Sequence, residues 1–124
     1  MKGFKVLVIA LLLLAFASTT MAADASKMDV GKSWTLALYH PTRVGTALLP
    51  AGDYNVRHLK DGEQHFLVFK SAGKEIARVS CTMEQLPKKA DKTSLIENTN
   101  GAGELVLMGI AFQGDSFQHD LVNP

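Results

Sequence analysis

The middle of the chain constrains the fold most: from Asp53 to Met83 apolar and polar residues alternate, interrupted at hairpin spacing by Asp61-Gly62 and Ser71-Ala72-Gly73. A period of two places one set of side chains on one face of a sheet, and Asp-Gly supplies both positive-φ positions of a type I′ turn. A turn closed between Lys60 and Glu63 pairs Val56 with Leu67, Tyr54 with Phe69 and His58 with His65. Gly73 suits the left-handed position of a three-residue loop, after which Ala77, Val79 and Cys81 return on the same face. The expected core face of this three-stranded meander is therefore Tyr54, Val56, Leu67, Phe69, Val79 and Cys81.

The rest of the chain reads the same way. Short β-favouring runs at 33–39, 43–49, 53–59, 64–70, 74–84, 93–98, 104–112 and 117–122 are separated by Gly, Pro, Asp and Asn, and no long run carries the helical period. Segment 83–92 reads as a loop, with room for one short helical turn before Pro87. Strand 104–112 is apolar on both faces, which predicts a central strand covered on both sides, or one apolar face offered to a partner. Gly109 within it predicts a bulge or a close backbone approach. The expected fold class is all-β, a small antiparallel β-sandwich or partly closed barrel of seven to eight short strands.

Residues 1–22 read as a secretory signal peptide: Lys2 and Lys5, an apolar run from Val6 to Ala17, then small and polar residues up to Ala22 and Ala23, either of which suits cleavage. A helix needs about 20 apolar residues to span a bilayer, so no stable membrane anchor is expected after cleavage. The mature chain is expected to be secreted or periplasmic, with residues 23–32 as a polar lead and 33–124 as a single β domain. Cys81 is the sole cysteine, so an internal disulfide is excluded and the fold must rest on its apolar core. Its alternation with Val79 and Met83 predicts a buried thiol that packs as a small hydrophobe. Acidic and basic residues nearly balance, which argues against nucleic acid or an anionic membrane surface as partner.

The segment Leu49-Pro50-Ala51-Gly52-Asp53-Tyr54-Asn55-Val56 resembles the L-P-x-G-x-Y-x-V stretch of extracellular β-sandwich modules of the transthyretin-like and carboxypeptidase-regulatory-like kind. Taken with the leader and the hairpin that follows, the chain is similar to small exported β proteins of soil acidobacteria. The resemblance implies a bacterial exported sandwich in which Pro50 and Gly52 shape a turn and Tyr54 and Val56 point inward. It carries over no functional residue, because the motif is structural.

Sequence motifs for catalysis are missing: there is no H-E-x-x-H, no Gly-rich phosphate loop, no G-x-S-x-G and no C-x-x-C. No catalytic residue and no cofactor are expected. The constellation with geometry behind it is His58 facing His65 across the hairpin, close enough for both rings to reach one Zn²⁺ or Cu²⁺ ion, with His40 and His119 as further histidines of underived position. The competing reading is two half-exposed rings closing the wet end of a hairpin. An aromatic ligand platform would rest on Trp34 and Tyr39, which alternate onto opposite faces. The expected function is an exported non-enzymatic β-domain, a protein-interaction or structural module that meets a protein or its own copy through the apolar strand. A carbohydrate- or small-ligand-binding sandwich and a histidine-based metal-binding protein are the alternatives.

Overall fold

The structure, a computed structural model, describes residues 28–123. The expected signal peptide, residues 1–22, and the first part of the expected polar lead lie outside the described residues. Nine strands follow one another: β1 (Met28–Leu38), β2 (Thr42–Val44), β3 (Ala47–Leu49), β4 (Gly52–Asp61), β5 (Gln64–Ser71), β6 (Lys74–Gln85), β7 (Ser94–Thr99), β8 (Leu105–Ala111) and β9 (Phe117–Leu121). They form one sheet in the order β1-β4-β5-β6-β9-β8-β2-β3, with β7 on the other edge of β8. The path does not close into a barrel. Instead the sheet curls over itself, so that Trp34 of β1 stacks on Phe112, just beyond β8, with ring centroids 4.0 Å apart and planes 6° apart. The enclosed core draws on both ends of the strand path, from Leu36 and Leu38 to Val44 and Leu49. This is a small all-β, sandwich-like fold.

Three expectations about the elements are corrected. Segment 43–49 is two strands, β2 and β3, paired around Gly45 and Thr46, which raises the strand number to nine. β1 starts at Met28, inside the expected polar lead, and pairs Met28 with Lys60 and Asp29 with Leu59. The sheet is mixed, because β2 runs parallel to β8. That parallel contact is secured by Arg43, which donates two hydrogen bonds to the Glu104 carboxylate at 3.1 and 2.9 Å. The guanidinium hydrogen bond, then that from Asn100, hold the Glu104 carboxyl below its ordinary range.

The central meander keeps its predicted face and changes its register. Val56 pairs with Phe69, His58 with Leu67 and Asp61 with Gln64, a slip of two residues from the expected pairing. The reason is turn chemistry: the loop is Gly62-Glu63 and only Gly62 takes positive φ, at 62°, which is the type II′ pattern rather than type I′. A slip of two preserves parity, so every side chain stays on its predicted face. The second hairpin is also tighter than expected, with Ser71 paired to Lys74 around Ala72-Gly73. Tyr54, Val56, Leu67, Phe69, Val79 and Cys81 are all buried together. Tyr54 reaches this core with its hydroxyl satisfied, donating to the Pro50 carbonyl four residues back, which gives the Leu-Pro-Ala-Gly segment its structural purpose.

Strand β8 is central, with β7 on one edge and β9 and β2 on the other. Its partner β7 pairs Glu97 with Leu107 but Ile96 with Gly109, so Met108 is an extra residue and a bulge forms where Gly109 stands. A Cβ on Gly109 would lie 3.2 Å from Asp120 Oδ1 and 3.3 Å from the His119 carbonyl, so the close approach is equally real. The bulge resets the alternation and lets Leu107, Ile110 and Phe112 all face the core. Residues 86–93 are loop without a helical turn. They are pinned to the 112–116 turn by Leu86 N–H donating to Ser116, Ala90 N–H to Asp115 and Gly114 N–H to Ala90.

Candidate metal centre

Four adjacent strands each contribute one side chain to a single cluster. In sheet order, β4 supplies His58, β5 His65, β6 Cys81 and β9 His119. Each sits at an inward position of its strand: His58 follows Tyr54 and Val56, His65 precedes Leu67 and Phe69, Cys81 follows Ala77 and Val79, and His119 precedes Leu121. Cross-strand pairing then fixes their spacing, since His65 lies opposite Cys81 and Met83 opposite His119.

His58 and His65 are diagonal neighbours rather than the directly opposed pair that the turn predicts, because of the two-residue slip. They touch nonetheless, with His58 Nε2 and His65 Nδ1 2.8 Å apart and ring centroids 5.0 Å apart. One ring donates and the other accepts. The half-exposed pair of the sequence reading is corrected on one side: His58 is 4% exposed, while His65 is half-buried.

Beneath them lies His119, with no exposed surface. Its ring packs edge-on against His58 at 5.0 Å, Phe112 at 5.5 Å and Trp34 at 5.7 Å. His119 Nε2 donates to Asp115 Oδ2 at 2.9 Å, and Asp115 is itself 4% exposed. The other oxygen of Asp115 accepts from the Phe117 N–H and lies 3.9 Å from Lys32 Nζ. That leaves His119 Nδ1 buried without a hydrogen-bond partner. A buried polar atom in that condition costs about 1–3 kcal/mol unless something binds it.

Its neighbours can bind what it would bind. Donor atoms of His58, Cys81 and His119 all lie within 4.8 Å of one another. Around a metal with M–N near 2.0 Å and M–S near 2.3 Å such donors would sit about 3.3–3.7 Å apart, so closing the site takes about 1 Å of side-chain movement. Burial, and secondarily the Asp120 carboxylate, push the Cys81 thiol up to about 11, so without a metal it stays protonated at neutral pH. A cleft of about 290 Å³ opens onto the cluster from solvent, lined by Lys32, Trp34, Lys60, Met83 and Phe117 beside His58 and His65.

Other sequence candidates fall elsewhere. Trp34 spends one ring face on Phe112, whereas Tyr39 stands 84% exposed beyond the end of β1, so the two do not form a platform. His40 is exposed in the β1–β2 connection. The sequence reading gave Cys81 a packing role alone and left His119 without a position. A usable signal existed for the latter, because His119 falls between Phe117 and Leu121 on the apolar phase of its strand.

No protein family model, no curated protein and no solved structure matches this chain.

Proposed function

We propose that this protein is an exported metal-binding domain that holds one thiophilic transition-metal ion with His58, Cys81 and His119. The observation that carries the reading is the unpartnered Nδ1 of the fully buried His119 beside a thiol and a second imidazole. Folded proteins rarely leave such an atom unsatisfied. Thiolate and imidazole together suit zinc or copper rather than magnesium or calcium. Asp115 supports the same reading, since a carboxylate on the far nitrogen of a histidine is the usual partner that orients a ligating ring. The interaction-module alternative drew its motive from the doubly apolar strand 104–112, and the bulge at Met108 and the central place of β8 account for most of that apolarity.

Titrating the protein, purified without metal, with Zn²⁺ and separately with Cu(I) under argon tests the proposal. Saturation at one equivalent is expected, with a melting temperature raised by several degrees in the parent and unchanged in C81S and H119Q. Absence of binding by either ion, or equal binding by parent and both variants, refutes it.

A further inference from the structure

Resting on that metal-binding reading, we propose that the resident ion is copper(I), held three-coordinate by His58, Cys81 and His119. Donor count is the first reason. Among the described residues three side chains bring donor atoms within 4.8 Å of one another, and His65 lies outside that set, its Nδ1 engaging His58 Nε2. Structural zinc is almost always four-coordinate, whereas a His₂Cys trigonal set suits copper.

Charge is the second reason. Binding replaces the S–H bond of Cys81 by an S–Cu bond and releases one proton, so a thiolate, two neutral imidazoles and Cu⁺ sum to zero. The same donors around Zn²⁺ leave a unit positive charge in a site walled by Phe112 and Trp34. Burying net charge among aromatic rings is costly. Asp115 does not simply cancel that charge, because it already faces Lys32 and the His119 N–H.

Softness is the third reason. Met83 stands opposite His119 in the β6–β9 ladder and lines the cleft above the cluster. It places a thioether, a ligand type that favours Cu(I), beside the cluster.

Competition decides the identity of the ion. The protein is loaded with Cu(I) under argon in the presence of ascorbate, dialysed against a large molar excess of Zn²⁺, and assayed for both metals. Retention of one equivalent of copper is expected, with X-ray absorption showing one sulfur and two nitrogen neighbours. C81S should lose at least about 100-fold in Cu(I) affinity, because the thiolate is gone. Replacement of copper by zinc, or a four-neighbour copper site, overturns the copper assignment and leaves the metal-binding reading standing. If neither ion binds, both fall together. The absorption measurement needs no variant, so a C81S protein that fails to fold does not blunt the test.

Discussion

Asp115 Oδ2 accepts a hydrogen bond from His119 Nε2 at 2.9 Å, and the two residues are 4% and 0% exposed. The contact fixes which nitrogen of the ring is available, since a carboxylate can only accept and Nε2 must carry the proton. Nδ1 is thereby left as the ring's lone-pair nitrogen, buried and without a hydrogen-bond partner. Replacing Asp115 with Ala should therefore lower metal affinity by about 10–100-fold while leaving donor count intact. Competition against a chromophoric chelator measures this, and an unchanged affinity would place Asp115 outside the metal's influence.

The same pair bears on folding in the absence of metal. His119→Leu removes the N–H that answers a buried carboxylate and should cost about 1–3 kcal/mol. Adding Asp115→Leu should restore part of that loss, because no buried charge then lacks its donor. Urea midpoints for the two single variants and the double variant provide the cycle; strict additivity would show that the contact contributes nothing.

Alkaline titration should reveal Cys81. Its thiol is pushed from an ordinary 9.0 up to about 11, so the unfolded chain gives up this proton first. Stability owed to the neutral buried thiol is whole below pH 9 and is lost as pH rises towards 11. Across that window the parent's urea midpoint should fall more steeply than that of C81A. Parallel slopes would mean that the thiol titrates normally.

The core of the meander gives the most direct test of the fold. Leu67 and Phe69 have no exposed surface, and truncating either to Ala should cost about 2–5 kcal/mol by denaturant unfolding. An unchanged midpoint would mean that the face is wrongly assigned.

Ala72 offers a change in the opposite direction. It occupies the hairpin turn at φ 51°, where an L side chain is strained. Ala72→Gly should stabilise the protein by up to about 1 kcal/mol, the relief of strain exceeding the extra chain entropy that glycine gives the unfolded state. A lower melting temperature would show that the turn tolerates alanine without strain.

Alternation legibly wrote one layer of this structure and hid another. It identifies Tyr54, Val56, Leu67 and Phe69 as one face whatever the pairing, since a slip of two residues leaves parity intact. For the same reason it cannot distinguish His58 opposite His65 from His58 opposite Leu67. The turn at Gly45 was illegible within an apolar run that reads as one strand. The site itself depended on β9 returning to pair with β6 after β7 and β8 have intervened, a non-local choice that no residue near Cys81 announces. His119 carried its own hint, a histidine on an apolar stripe, but its neighbours across the sheet were set by topology.

The separation of His58 from His119 along the chain has a mechanical consequence for a protein with a single cysteine. A metal ion bound to both would close a loop of roughly 60 residues, and cross-links over long loops remove the most freedom from the unfolded chain. The ion would then act as a reversible staple, lending the domain the resistance to unravelling that others obtain from disulfides. Unlike a disulfide, it could be drawn out again by a chelator, so the domain's lifetime would follow the metal supply around it.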